Sequence, residues 1–147
     1  MKDAGIDDIV LVERFPGVED YRRMRIATGL SDKSVEAATR GLANTIYGVS
    51  LLRNDAVVGM GRIVGDDGCF YFVVDIAVDP ALKGRGLGKR IMSELDAWLK
   101  ANAPHSAHVG LFADGDAKHR EVRVRRDQAF GWDVVSRLSR ESLRCGT

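Results

Sequence analysis

A glycine-rich loop between a hydrophobic strand and an amphipathic helix constrains the fold of this chain more than any other feature. Residues 69–78 (CFYFVVDIAV) are almost continuously apolar, which predicts a central strand that is buried on both faces. Asp79-Pro80 ends this strand, and the loop at residues 83–88 (KGRGLG) follows. A helix is then predicted from about Gly86 to Asn102, because five apolar residues share one helical face: Leu87, Ile91, Leu95, Trp98 and Leu99.

The composition of this loop favours a phosphate ligand. A helix N-terminus presents unpaired N–H groups and a partial positive charge, and both attract anions. Glycines let the backbone approach such an anion closely. Four basic side chains add formal charge around the loop: Lys83, Arg85, Lys89 and Arg90. Together these features predict a diphosphate site.

The spacing of the glycines excludes two common nucleotide loops. A Walker A loop requires G-x-x-x-x-G-K-[ST], whereas here Gly88-Lys89 is followed by Arg90. A dinucleotide-binding fold requires G-x-G-x-x-G, whereas Gly84 and Gly86 belong to G-x-G-x-G. The diphosphate must therefore belong to another class of ligand, unless the loop is an ordinary glycine-rich turn that opens a helix.

The loop resembles the acetyl-coenzyme A loop of the GNAT superfamily of N-acetyltransferases, [Q/R]-x-x-G-x-[G/A], with Lys83 in place of the usual Gln or Arg. The resemblance extends over about residues 8–117 and includes the strand ending in DIAV and the later GLFAD. It implies acetyl-coenzyme A as co-substrate and no metal. It also implies that the backbone of Ile76, Ala77 and Val78 binds the pantetheine arm. The residues implied to hold the diphosphate are Lys83, Gly84, Arg85, Gly86, Leu87, Gly88 and Lys89.

The remaining patterns predict a single α/β domain over residues 1–147, with an atypical tail at 118–147. The expected order is β-α-α-β-β-β-α-β, in a mixed, mostly antiparallel sheet flanked by helices. Strands are expected at residues 8–15, 45–53, 56–66, 69–78 and 107–113. Asn54-Asp55 is a hairpin signal, and Ser31 is the expected N-cap of the second helix.

The resemblance implies direct attack of an amine on the thioester. Asp75, a carboxylate in an apolar strand, is the candidate general base, and the alternative is a purely structural role. Candidates for the acceptor pocket are Tyr71, Tyr47 and Arg62. Phe70 and Phe72 are further aromatic residues of the same strand, and alternation along a strand means that at least one of the three consecutive aromatics lies in the core.

The last 30 residues depart from the family pattern. The family carries L-Y-x-[KR]-[FY]-G-F in this region, and its Tyr protonates the departing thiolate, whereas no tyrosine follows Tyr71 here. From residue 119 onward there are seven arginines and no lysine. Codons for residues 121–135, read one nucleotide later, permit K-F-G-F-G-E-T-K-P-S-V-G-M-W, which predicts a frameshift near Arg120. The in-frame alternative is a helix at residues 116–129 followed by a strand at 133–139.

Composition narrows the function classes. Net charge is +1, and no nucleic-acid-binding module is recognisable. Nucleic acid is therefore not expected as a partner, although the tail is rich in arginine. Cys69 and Cys145 have no metal or redox spacing, and no apolar run approaches a membrane span. The expected partner is a small-molecule amine, and the expected location is the cytoplasm. The resemblance also allows a homodimer, and the missing tyrosine allows a coenzyme A-binding protein with weak or no catalysis.

Overall fold

The structure, a computed structural model, describes residues 8–113 and the backbone of residues 132–136. These residues form six strands and three α-helices: β1 (Ile9–Val12), α1 (Val18–Ala27), α2 (Val35–Leu42), β2 (Tyr47–Arg53), β3 (Ala56–Gly65), β4 (Phe70–Val78), α3 (Leu87–Asn102), β5 (His108–Ala113) and β6 (Trp132–Ser136). A short 3₁₀ turn, Pro80–Leu82, precedes α3. In the part of the chain so described, no helix is long and apolar enough to cross a membrane.

The strands form one sheet in the order β1-β2-β3-β4-β5-β6. The first four strands are antiparallel neighbours, while β4 pairs with β5, and β5 with β6, in parallel. The predicted mixed, mostly antiparallel sheet and the predicted order of elements up to β5 are confirmed. The parallel step from β4 to β5 needs a crossover, which α3 provides.

Helices cover both faces of this sheet. On one face, α3 packs against β2, β3 and β4 through fully buried residues such as Ile91 and Leu95. On the opposite face, α1 and α2 pack against β3 and β4 around Tyr21, Met24 and Met60. The loop before α3 follows the end of β4, the most hydrophobic strand, as its sequence predicts.

The start of α2 differs from the prediction. Ser31 was the expected N-cap, but α2 begins at Val35, and the hydroxyl of Ser34 accepts the capping hydrogen bond from the Ala37 N–H. Ser31 instead offers its carbonyl and hydroxyl oxygens to Arg25 on α1. Competition from this tertiary contact explains why the first of two serines does not cap the helix.

The C-terminal predictions are only partly covered by the described residues. A strand at Trp132–Ser136 pairs with β5, which agrees with the strand of the in-frame alternative. The helix predicted at residues 116–129 and the position of the predicted frameshift lie outside the described residues.

Candidate functional site

β4 and β5 separate halfway along β4. Their parallel pairing runs from Phe70 opposite His108 to Val73 opposite Leu111. Beyond Val73, β4 continues to Val78 and keeps its pairing with β3, but it has no further pairing with β5. We call the region between the two strands beyond this point the β4/β5 split. Backbone polar groups along the edge of such a split are available to bind a ligand.

A β-bulge interrupts β4 where the split opens. The β3–β4 pairing passes from Met60 opposite Ala77 to Arg62 opposite Val74, so Asp75 and Ile76 both lie opposite Gly61. Asp75 has φ 59°, in the left-handed region that Asp tolerates better than most residues. The bulge bends β4 immediately before Ile76–Val78, the residues expected to bind the pantetheine arm.

Three side chains surround the carboxylate of Asp75. The Nη1 of Arg25 lies 2.5 Å from Oδ1, and the Nε of Arg62 lies 2.7 Å from Oδ2. The hydroxyl of Tyr21 lies 3.2 Å from both oxygens. The side chain of Asp75 is only 6% exposed. The carboxylate therefore accepts hydrogen bonds from three side chains, and two of these donors are cationic.

These contacts argue against the predicted role of Asp75 as the general base. A base must come within hydrogen-bond distance of the amine or of one intervening water. The side chain of Asp75 is buried, and both of its oxygens already accept hydrogen bonds from Tyr21, Arg25 or Arg62. The bulge also interrupts the alternation of side chains along β4 and directs Asp75 toward α1. The geometry fits a carboxylate that holds the bulge in place.

The loop before α3 has the backbone geometry of an anion site. Gly84 and Gly86 have φ values of +79° and +75°, which other residues rarely adopt. Gly86 is the N-cap of α3, whose first turn contains no acidic residue. The Asp79 side chain accepts a hydrogen bond from the Ala81 N–H and so fixes the 3₁₀ turn that leads into the loop. The partial positive charge of the helix N-terminus is therefore not offset by a nearby helix carboxylate.

Space around the loop also fits a diphosphate. A Cβ atom built on Gly84, Gly86 or Gly88 would meet nothing within 4 Å, so these positions border open volume. Lys83, Arg85 and Lys89 are exposed around it. Arg90, which the sequence placed with this basic group, donates to the backbone carbonyl of Ile9 over 3.2 Å and so connects α3 to β1.

The three predicted pocket residues do not come together. Tyr71 is 1% exposed on the α3 face, and its hydroxyl donates to Asp67. Tyr47 lies on the same face, stacked on Trp98 with ring centroids 5.2 Å apart. Arg62 lies on the opposite face of the sheet, in contact with Asp75. Burial of Tyr71 argues against a place in an acceptor pocket and matches the expectation that one of the consecutive aromatics is core.

The tyrosines on both faces are held in their neutral forms. Burial, together with the hydrogen bond to Glu13, raises the pKa of Tyr47 to about 12. Burial is also the main cause that raises the pKa of Tyr71, with its hydrogen bond to Asp67 second. For Tyr21, burial and the charge of Asp75 raise the pKa. Each hydroxyl is therefore a hydrogen-bond donor at neutral pH.

Sequence reasoning missed two groups near the split. Arg25 belongs to the buried stripe of α1, as its helical spacing with Tyr21 and Met24 indicates, but nothing in the sequence named Asp75 as its partner. Phe112 is 45% exposed and contacts Phe72 edge-on, with ring centroids 5.3 Å apart. The sequence signal that could have identified Phe112 is its position near the end of a predicted strand, since another predicted strand is rich in phenylalanine.

Comparisons with known proteins agree with this geometry. Residues 40–120, more than half of the chain, match the model of the Acetyltransferase (GNAT) family. A ycf52-like N-acetyltransferase of Prochlorococcus marinus is 29% identical over 92 residues, which are 60% of this chain and 50% of that protein. The chain thus matches half the length of that curated relative.

Solved structures show the same architecture. A probable acetyltransferase from meticillin-resistant Staphylococcus aureus is 38% identical, with a TM-score of 0.68 over 72% of this chain and 80% of that one. A GNAT family acetyltransferase from Streptococcus pneumoniae is 28% identical, with a TM-score of 0.59 over 75% and 78%.

A GNAT acetyltransferase from Brucella melitensis, solved in complex with acetyl-CoA, shares the fold at 16% identity and a TM-score of 0.56, covering 74% of this chain and 78% of that one. Among residues 8–113, no cluster of His, Cys, Asp and Glu side chains could hold a metal ion. The family match, together with the split and its adjoining loop, places this chain in the GNAT acetyltransferase family.

Proposed function

We propose that this chain transfers the acetyl group of acetyl-coenzyme A to a primary amine, in a small-molecule acceptor, by direct attack of the amine on the thioester. The observation that carries the proposal is the β4/β5 split, which opens beyond Val73 and lies on the strand that leads into the glycine loop before α3. One end of this arrangement suits an extended amide-containing chain, and the other suits a diphosphate.

Backbone groups of Ile76, Ala77 and Val78 are assigned to the pantetheine arm. They follow the bulge on the edge of β4 that no longer pairs with β5. An extended ligand with amide groups can bind there as an added strand binds a sheet edge. Backbone N–H groups near Val78 are assigned to polarising the thioester carbonyl, because fixed donors at that oxygen stabilise the charge that develops in the reaction.

The diphosphate is assigned to the loop Lys83–Lys89. Gly84, Gly86 and Gly88 leave room for phosphate oxygens close to the backbone, and the N-terminus of α3 supplies N–H donors. Lys83, Arg85 and Lys89 are exposed cations around that space. The similarity of the fold to a GNAT enzyme solved with acetyl-CoA supports the choice of this diphosphate compound over others.

Acetyl-coenzyme A supplies an activated acetyl group, and the chain supplies the alignment. Transfer forms an N–C bond, breaks the thioester C–S bond and leaves a thiolate, while the amine loses a proton to solvent. Well-oriented reactants gain about 7–11 kcal/mol over the same reaction in free solution. The phenylalanines beside the split, Phe72 and Phe112, contact each other edge-on and are assigned to an apolar wall of the acceptor pocket.

The test is an acetylation assay with a panel of small primary amines, in which free thiol and acetylated product are both measured. We expect product with at least one amine, and loss of product in Gly86→Glu, where a carboxylate would occupy the diphosphate space. Arg40→Ala on α2 is a matched surface control, since Arg40 pairs only weakly with Glu36 at 3.5 Å. Equal activity in the Gly86→Glu variant would contradict the proposal.

The second candidate is a coenzyme A-binding protein with little or no turnover. It is favoured by one observation, the absence of any tyrosine after Tyr71, where the family carries the residue that protonates the thiolate. Binding of acetyl-coenzyme A without product from any amine would support this candidate. Sequencing of genomic DNA through the codons for residues 121–135 tests the predicted frameshift, and codons that do not encode K-F-G-F-G-E-T-K-P-S-V-G-M-W when read one nucleotide later would exclude it.

A further inference from the structure

Asp75 is the point where several elements meet. Arg25 on α1 donates to Asp75, and it also donates to Ser31 through Nε to the carbonyl at 2.5 Å and Nη2 to Oγ at 2.9 Å. Arg62 on β3 donates to Asp75 and, through Nη1, to the Gly41 carbonyl at 3.2 Å. The Asp75 carboxylate therefore binds α1 and β3 directly. Through Arg25 and Arg62 it is also connected to Ser31, between α1 and α2, and to Gly41 near the end of α2.

These contacts act on the backbone that borders the split. Asp75 occupies the left-handed position of the bulge, and Ile76 follows it directly. A strand without a bulge would present the opposite peptide edges to the split, because alternate residues point to opposite sides. Holding the Asp75 carboxylate therefore fixes which backbone groups of Ile76–Val78 face a ligand.

Resting on the proposed function, we propose that Arg25 is a positioning residue for coenzyme binding: through Asp75 it fixes the bulge that directs the backbone of Ile76–Val78 into the β4/β5 split. Arg62 has the same role from the β3 side. Neither side chain needs to touch the coenzyme, since the side chain of Arg25 is 4% exposed and that of Arg62 is 11% exposed. The segment between α1 and α2 is thereby coupled to the coenzyme strand.

Four variants at Asp75, Arg25 and Ser31 separate the effect of side-chain charge from the effects of side-chain geometry and of folding. Asp75→Asn keeps one carbonyl oxygen, and Asn also tolerates the left-handed region, but the substitution removes the charge that binds two arginines. Arg25→Lys keeps the charge but cannot contact Asp75 and Ser31 together with a planar fork, and Arg25→Ala removes both. Ser31→Ala is a mild variant at an exposed residue, which removes only the contact from Nη2. Arg40→Ala is the control.

The measurement is the dissociation constant of acetyl-coenzyme A by titration calorimetry, with amide hydrogen exchange at Ile76–Val78 in the ligand-free chain. We expect about tenfold weaker binding for Arg25→Ala and Asp75→Asn, typical of coupling between sites. Arg25→Lys should fall between Arg25→Ala and the wild type. Ser31→Ala should weaken binding about twofold to threefold, the effect of one hydrogen bond. Exchange should accelerate at Ile76–Val78 in the same order, and Arg40→Ala should change neither quantity.

The pH profile of kcat separates positioning from proton transfer. If Asp75 only positions the strand, Asp75→Asn keeps the shape of the wild-type profile. Loss of the acidic limb in Asp75→Asn, with an unchanged dissociation constant, would make Asp75 a base and overturn the inference. Wild-type affinity and exchange in both Arg25→Ala and Ser31→Ala would also overturn it. No binding by the wild-type chain would instead reject the proposed function, and this inference with it.

Discussion

The two halves of β4 differ in what lies beside them, although both are apolar. We call Phe70–Val73 the closed half, because it pairs with β3 on one side and with β5 on the other. We call Val74–Val78 the open half, because it pairs with β3 but not with β5. Tyr71 and Val73 in the closed half are fully buried, whereas Val74 and Val78 in the open half are only partly buried.

This difference shows how a hydrophobic strand becomes a binding edge. The closed half pairs its backbone groups inside the sheet on both sides, and it places Tyr71 and Val73 in the core. The open half begins where the bulge at Asp75 bends β4 and the partner strand departs. Unpaired backbone groups are costly when buried and attractive to a ligand when accessible. The closed half therefore stabilises the fold, and the open half is available for function.

The largest effect is expected for Tyr71→Ala in the closed half. Removing a buried aromatic ring that contacts Trp98 should lower the free energy of unfolding by about 3–5 kcal/mol. Tyr71→Phe, which loses only the hydrogen bond to Asp67, should cost about 1 kcal/mol. Urea unfolding measures both. A tenfold change in the KM for the acceptor in Tyr71→Phe would instead indicate that Tyr71 belongs to the acceptor pocket.

A matched pair of valines compares the two halves directly. Val73→Ala removes buried methyl groups at a residue with 0% exposure and should cost about 2 kcal/mol. Val78→Ala makes the same chemical change at a partly buried position and should cost less than about 1 kcal/mol. Equal losses of unfolding free energy in the two variants would mean that the halves are packed alike, which would break the comparison.

Opposite effects on stability and binding are expected for Gly88→Ala beside the open half. Gly88 lies in the first turn of α3, and an added Cβ meets nothing within 4 Å, so the substitution should raise the free energy of unfolding by about 0.5–1 kcal/mol. The same Cβ would occupy space assigned to the diphosphate and should weaken binding of acetyl-coenzyme A. Thermal unfolding and calorimetry check the two signs, and unimpaired binding would contradict the assignment.

A pH dependence is expected at Tyr47, which stacks on Trp98 over the closed half. Its folded-state pKa is raised from 10.0 to about 12, mainly by burial. A raised pKa adds stability that is fully present below pH ~10 and is lost as the pH rises to about 12. Wild-type stability should therefore fall more steeply than that of Tyr47→Phe over this interval. Parallel curves from urea unfolding would contradict this expectation.

Much of the fold was predictable because its signals are local. The left-handed turn at Asn54-Asp55, with φ values of 50° and 62°, forms the hairpin that this dipeptide indicates. The apolar stripe of α3 predicted that the helix begins at about Gly86, within one residue of its observed start at Leu87. The closed and open halves of β4 could not be separated in this way, because burial of the strand depends on where β5 ends its pairing.

The candidate site was predictable in its loop but not in its charges. The glycine spacing and the basic residues of the loop form a contiguous signal, whereas Arg25, Arg62 and Asp75 lie far apart in sequence. An acid in an apolar strand has a functional or a structural explanation, and only its partners decide between them. The bulge that turns Asp75 toward α1 is a property of strand pairing, which single-sequence periodicity does not contain.

The most direct test of the account is thermal unfolding of the chain with and without acetyl-coenzyme A, beside the Gly86→Glu variant. Ligand at about 100 times its dissociation constant should add about 2.7 kcal/mol to the free energy of unfolding. The account predicts a clear rise in the midpoint for the wild type and none for Gly86→Glu. An absence of any shift in the wild-type chain, or an equal shift in the variant, would contradict the assignment of the open half of β4 and its loop as the coenzyme site.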